Sequence, residues 1–276
     1  MAFVRYILPQ NREPNLFYFK INSMSKTVFI TGASSGIGEA CAEVLAREGY
    51  NLLLCARRFQ RLEEIKDRLN KQYPQIAIHI FELDVRNYDE VKSKIENLPS
   101  EWKNINVLIN NAGLSQGLDS IQDGDIGDWD RMIDTNVKGL LYVTKTVIPL
   151  LENQEGAHIV NLGSIAAKEV YPNGNVYCAS KHAVDALNKA MRIDLLPKGI
   201  KVTGINPGMV ETEFSEVRFK GDIERAKNVY NGVDALTGKD IAETISFVIS
   251  RPKHVNINDL IIMPTAQATG TIVNRK

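Results

Sequence analysis

A strand, a glycine-rich turn and a helix follow one another without a break between Thr27 and Arg47, and this stretch constrains the chain more than any other. Thr27-Val28-Phe29-Ile30-Thr31 is short, apolar and β-branched, the pattern of a buried strand. Residues 39–47 are rich in Ala, Leu and Glu and predict a helix. Between them lies Gly32-Ala33-Ser34-Ser35-Gly36-Ile37-Gly38. Glycine allows a tight turn and a close approach of backbone to ligand. A helix N-terminus behind such a turn points free amides at an anion. The spacing is Gly-x-x-x-Gly-x-Gly rather than Gly-x-Gly-x-x-Gly, with the same physics of a pyrophosphate-binding turn. Three glycines alone make only a turn; the flanking strand and helix favour a dinucleotide site.

The rest of the chain repeats this alternation. Further strands are predicted at 51–56, 75–83, 105–109, 157–162, 201–205 and 259–263. Helices are predicted at 60–72, 87–98, 128–151, 175–196 and 239–250. Alternating strands and helices specify a Rossmann-type doubly wound α/β fold, seven parallel strands with helices on both faces, in a single domain. A chain of 276 residues fits one such domain. Residues 1–25 mix Phe17-Tyr18-Phe19 with Pro9 and Pro14 and lack the long apolar core of a secretory signal. They are read as an N-terminal extension to a domain at 26–276.

Charge excludes other classes. Lys plus Arg and Asp plus Glu are 33 each, and no long basic block argues for nucleic acid or an anionic membrane surface. No apolar run is long enough to span a bilayer. Cys41, Cys55 and Cys178 are dispersed, with neither metal-ligand spacing nor a disulfide framework, which suits a reduced cytoplasmic protein. No metal is expected.

Arg57 and Arg58 directly follow the second strand, where an acid would hold the ribose hydroxyls of NAD. An Arg pair there suits a 2′-phosphate and favours NADP(H); the alternative is two solvated arginines opening a helix. Asp84, before Val85, ends the third strand and either meets the adenine amino group or caps the next helix. Asn110-Asn111-Ala112-Gly113 either braces the turn and holds a ribose or makes a plain loop. Asn136 lies inside an apolar helical stripe, where Asn is a poor helix former, and that conflict hints at function.

Tyr177 and Lys181 are four residues apart on one predicted helix face. An unperturbed phenol titrates at about pH 10, and a nearby ammonium favours the phenolate. Ser164, at the end of the preceding strand, is placed to hold a carbonyl oxygen against the Tyr177 hydroxyl.

From 26 to about 263 the chain resembles the short-chain dehydrogenase/reductase family. The resemblance rests on Thr31-Gly32-Ala33-Ser34-Ser35-Gly36-Ile37-Gly38, Asp84-Val85, Asn110-Asn111-Ala112-Gly113, Asn136, Ser164, Tyr177 with Lys181, and Pro207-Gly208 with Thr212. It implies Tyr177 as general acid/base, Ser164 as the residue orienting the substrate, and Asn136 as anchor of a water in a proton relay. Lys181 is given two tasks, holding the nicotinamide ribose and lowering the Tyr177 pKa. The cofactor set it implies is Gly32, Ser34, Ser35, Gly36, Ile37, Gly38, Arg57, Arg58, Asp84, Val85, Asn111, Ala112, Gly113, Tyr177, Lys181, Pro207, Gly208, Val210 and Thr212. A homotetramer built on the helices at 128–151 and 175–196 is implied as well.

The chain is more closely similar to the NADP-dependent 3-hydroxy acid dehydrogenases in Glu101-Trp102-Lys103-Asn104-Ile105, Met132-Ile133-Asp134-Thr135-Asn136, Gly174-Asn175-Val176-Tyr177, Glu213-Phe214-Ser215, Val217-Arg218-Phe219-Lys220-Gly221-Asp222 and His254-Val255-Asn256-Ile257-Asn258. This implies a small substrate such as serine, allo-threonine or 3-hydroxypropionate and its semialdehyde. It also implies a substrate lid at about 211–232, in which Arg218 either clamps a carboxylate or, with Lys220, simply solvates an exposed surface. The charged pair Lys168-Glu169 departs from the pattern. A carbonyl or 3-oxoacyl reductase, and an NADP(H)-binding regulator without turnover, stay open at this point.

Overall fold

The structure is a computed structural model and describes residues 26–276, so the N-terminal extension lies outside the described residues. Among the described residues nine strands are present: β1 (Thr27–Thr31), β2 (Asn51–Ala56), β3 (Ile78–Glu82), β4 (Ile105–Asn110), β5 (His158–Leu162), β6 (Lys201–Pro207), β7 (Val210–Glu211), β8 (Leu236–Thr237) and β9 (Asp259–Ile262). Seven form one parallel sheet in the order β3-β2-β1-β4-β5-β6-β9. The pair β7 and β8, two residues each, forms a small separate ladder that periodicity did not predict. The chain reverses direction across the sheet between β1 and β4, the switch point outside whose carboxyl ends ligands bind in such folds.

The α-helices among the described residues are α1 (Gly36–Arg47), α2 (Phe59–Gln72), α3 (Tyr88–Glu96), α4 (Ile126–Ile133), α5 (Leu140–Leu151), α6 (Asn175–Asp194), α7 (Phe214–Arg218), α8 (Ile223–Asn228) and α9 (Gly238–Ile249). Strand β2 shows how they cover the sheet. Leu52 and Leu54 pack with α1, α2 and α9, while Leu53 and Cys55 join the core on the other face with α3, α5 and α6. Both faces are therefore apolar, which is why β1 and β2 are continuous rather than alternating hydrophobic runs.

Local chemistry sets the ends. Gly49, at φ +85°, follows the end of α1. Asn87 caps α3 by accepting from the Glu90 N–H, so Asp84 is free of that task. Thr237 and Asp240 form a capping box at the start of α9.

The single helix expected at 128–151 is instead α4 and α5 joined through a wider π turn, Asp134–Gly139. Its apolar spacing continues through the turn, so periodicity gave no sign of the change. The turn brings Gly139 against Val85: a Cβ there would stand 2.7 Å from a Val85 methyl. Residues 210–228, where an insertion is expected, fold as β7, α7 and α8. No helix among the described residues is long and apolar enough to cross a membrane.

Candidate active site

The loops after β1, β2, β3, β4, β5 and β6 open into one cleft of about 650 Å³. Of the expected site residues, all but Gly38 and Asn136 line it. At one end is the turn into α1. Gly32 and Gly36 sit at φ +65° and +56°, conformations that side chains disfavour. A Cβ on Gly32 would lie 2.9 Å from the Ala112 Cα. Gly38 serves packing instead, because its Cβ would strike the Gly32 carbonyl at 2.4 Å. Asn111 staples the turn by donating Nδ2 to the carbonyls of Thr31 (2.9 Å) and Gly32 (3.1 Å). The Ser35 side chain does not cap α1, which leaves the first-turn amides for an anion. This cradle fits a dinucleotide pyrophosphate.

Beside the cradle, Arg58 donates Nη2 to Ser35 Oγ (2.6 Å) and Nε to Ser34 Oγ (3.3 Å). Its Nη1 meets Glu213 Oε2 at 2.9 Å. The Arg57 side chain lines the cleft and makes no hydrogen bond or ion pair among the described residues. Asp84 is gripped by Arg86, which donates Nε and Nη2 to it and holds its carboxyl below the usual range.

At the other end, α6 brings in Tyr177 and Lys181, both buried. The Ser164 hydroxyl accepts from the Ala166 N–H at 3.1 Å and hydrogen-bonds the Tyr177 side chain. Burial pushes the Tyr177 phenol up from its ordinary value; the Arg218 charge and the Ser164 hydrogen bond pull it back. Arg218 Cζ stands 5.2 Å from the Tyr177 ring centroid. The cation that acts on the phenol here is Arg218, from α7. Lys181 itself is lowered to about 8 by burial, and its Nζ donates to the Leu162 carbonyl at 2.8 Å.

Asn136 sits in the π turn behind the cleft. Its side chain exchanges two hydrogen bonds with the Leu114 backbone and also reaches Ser180 Oγ at 3.0 Å. Ser180 in turn donates to the Tyr177 carbonyl at 2.7 Å, so Asn136 ties the loop after β4 to α6. On the far wall, Arg218 donates Nε to Ser115 Oγ (3.0 Å) and Nη2 to Tyr171 Oη (3.2 Å).

A family model for short chain dehydrogenases matches residues 26–222. The chain belongs to the short-chain dehydrogenase family. Sulfoacetaldehyde reductase of Chromohalobacter salexigens is 46% identical over 89% of this chain and 96% of its own. The NADP-dependent 3-hydroxy acid dehydrogenase of Schizosaccharomyces pombe is 42% identical over 91% of this chain and 97% of its own. Among solved structures, the closed form of a serine dehydrogenase complexed with NADP+ superposes with a TM-score of 0.84 at 40% identity, covering 91% of this chain and all (100%) of that one.

In this dehydrogenase the departing pair Lys168-Glu169 stays out of the cleft. Lys168 Nζ bridges Asp185 (2.6 Å) and Asp259 (2.7 Å), and Glu169 accepts from the Gly270 N–H at 2.6 Å. Tyr171, Phe214 and the C-terminal residues Gln267, Gly270, Thr271, Val273 and Arg275 line the cleft without having been singled out. Phe214 lay inside a matched motif; the C-terminal stretch carries no periodicity or motif that marks it.

Proposed function

We propose that this protein is an NADP(H)-dependent oxidoreductase acting on the CH–OH group of a short 3-hydroxy acid such as serine, allo-threonine or 3-hydroxypropionate. The observation that carries the substrate class is the guanidinium of Arg218 beside the Tyr177 ring. A fixed cation next to the general acid/base suits a substrate with an anion one carbon from its reacting centre. Sulfoacetaldehyde, the substrate in one relative's name, is an aldehyde with a sulfonate on the adjacent carbon. Malonic semialdehyde bears a carboxylate in the same place. The sulfonate analogue is therefore a second reading of the same site.

The cofactor is NADP(H), for which the glycine turn and the pair Arg57 and Arg58 supply the pyrophosphate cradle and the 2′-phosphate reader. When bound, its nicotinamide supplies or accepts the hydride. In reduction, Tyr177 gives its proton to the carbonyl oxygen while the Ser164 hydroxyl holds that oxygen in place. In oxidation Tyr177 acts as phenolate and takes the proton from the alcohol. Lys181 holds the ribose, and Asn136 fixes the relation between the loop after β4 and α6. Residues 211–232 form the substrate lid, and residues 1–25 are an appendage to this domain. The enzyme is a cytoplasmic homotetramer, for which the exposed Leu141, Ile193 and Leu196 on and beside α5 and α6 supply apolar surface.

A carbonyl or 3-oxoacyl reductase would present uncharged surface to its chain, and a regulator would not need the Ser164–Tyr177 hydrogen bond. The experiment is a kinetic panel with NADP+ and NAD+ over serine, allo-threonine, 3-hydroxyisobutyrate and 2-hydroxyethanesulfonate, and with NADPH over 3-oxoacyl thioesters. The reading expects the small anions to lead in kcat/KM. Faster turnover of thioesters replaces it, and NADPH binding without turnover on any substrate favours the regulator.

A further inference from the structure

The arginine read as the 2′-phosphate contact already has an anion, and that anion comes from the lid. Glu213 Oε2 lies 2.9 Å from Arg58 Nη1, and its Oε1 lies 3.7 Å from Arg61 Nη2. Glu213 directly precedes α7 and lines the same cleft. The side chains of Arg58 and Glu213 are 48% and 38% exposed, so water screens the pair and it is exchangeable. A phosphate arriving at Arg58 must share that guanidinium with a carboxylate of like charge. NAD(H) has no 2′-phosphate and leaves the pair intact. Arg57 makes no hydrogen bond or ion pair among the described residues and acts on Asp84 only through its charge, so it stays available to the phosphate and the rivalry lowers affinity without abolishing it.

We propose that Glu213 is a cofactor-specificity residue: its carboxylate competes with the 2′-phosphate of NADP(H) for Arg58, weakening NADP(H) binding while leaving NAD(H) binding alone. The consequence is faster release of the spent cofactor, and in many enzymes product release rather than chemistry limits turnover. The proposal rests on the reading of Arg58 as a 2′-phosphate contact. Glu213 also joins that contact to the substrate end of the cleft, because α7 begins beside it and ends at Arg218.

The test is the dissociation constant of NADPH and of NADH, by fluorescence titration of the full chain, its Glu213→Gln and Arg58→Ala variants and the double variant. Glu213→Gln is expected to tighten NADPH about two- to fivefold, the range of a half-exposed pair, and to leave NADH unchanged. In the Arg58→Ala background the same substitution is expected to do nothing. An equal change for both cofactors, as a loosened lid would give, overturns the proposal, as does weaker NADPH binding. If Arg58→Ala weakens NADPH but Glu213→Gln has no effect, only the role of Glu213 falls. If Arg58→Ala leaves NADPH affinity as it was, the 2′-phosphate reading itself falls and takes the proposal with it.

Discussion

Asn136 turns its side-chain amide onto the backbone of Leu114, accepting from its N–H and donating to its carbonyl at 2.8 Å each. Asn136 is 2% exposed and Leu114 6%, so water cannot replace either bond. The pair resembles one rung of a strand ladder, built from a side chain because the π turn opens the helix at this point. It sets the loop that carries Gly113 against Lys181: a Cβ on Gly113 would fall 3.2 Å from Asn136 Oδ1 and 3.6 Å from Lys181 Nζ.

Replacing Asn136 by Ala therefore leaves a buried donor and a buried acceptor unpaired. At about 1–3 kcal/mol for each, the expected loss is about 2–6 kcal/mol of unfolding free energy. Turnover should fall with it while the NADPH dissociation constant stays within a few-fold. Urea titration and steady-state kinetics measure the two effects; a variant as stable as the parent would mean that the turn relaxes to fill the gap.

Tyr177→Phe removes the proton donor and keeps the ring against Phe214 and Arg218. General acid/base catalysis is typically worth about 10²–10⁴-fold, and kcat should drop by that amount with cofactor affinity unchanged. The pH dependence follows from the direction of the shift. Burial raises the Tyr177 pKa, so the phenolate needed for oxidation is scarce at neutral pH and grows as pH rises. Oxidation should accelerate into the alkaline range, while reduction, which needs the protonated phenol, stays level and then declines. Opposite slopes in the two directions support the assignment; parallel profiles refute it.

Much of this was legible because the physics is local. Strands β1 and β2 are continuous runs, apolar but for Thr27, Thr31 and Asn51, that need helices on both faces, and the glycine turn sits where its backbone must turn sharply. Asn136 announced itself by conflict with its surroundings, but the π turn that resolves the conflict did not, since the stripe of Val143, Val147 and Leu151 continues past it. What could not be read are contacts between distant segments. Arg58 and Glu213 are 155 positions apart, and Met209 and Gln267 are 58 apart. Nothing near Lys168 signals that its charge is spent on Asp185 and Asp259, and so the departure of the pair with Glu169 could not be assigned to the framework.

His158 gives a prediction for stability. It is buried on β5, with Nε2 2.8 Å from Thr203 Oγ1, and burial, aided by the Lys201 charge, pushes its pKa down to about 3. In the unfolded chain an ordinary His titrates near 6.5. Between these values the unfolded state binds a proton that the folded state refuses, so stability is full above about pH 6.5 and declines as pH falls toward 3. The slope from this one group approaches about 1.4 kcal/mol per pH unit. Unfolding free energies at pH 7, 6 and 5 should fall less steeply in His158→Gln than in the parent. Identical slopes would show that other groups dominate acid unfolding.

Arg218 is the carboxylate clamp proposed for this site. Its guanidinium is held by Ser115 and Tyr171 and lies beside the rings of Tyr177 and Phe214, 5.2 and 5.3 Å from their centroids. A group so constrained loses little freedom on binding an anion, which is what makes a preorganised clamp effective. It also acts on Tyr177 through its charge, so two effects of Arg218→Ala must be separated. Loss of the clamp costs a charge-assisted hydrogen bond and should lower kcat/KM for serine by about 10–100-fold, while an uncharged alcohol of similar size loses far less. Loss of the charge near the phenol raises the Tyr177 pKa further and moves the alkaline rise of oxidation to higher pH for both substrates. Arg218→Lys should restore part of the pH profile but less of the acid preference, because an ammonium lacks the fork that grips a carboxylate. Equal losses on acid and alcohol, with no movement of the pH profile, would assign Arg218 to the structure of the lid alone.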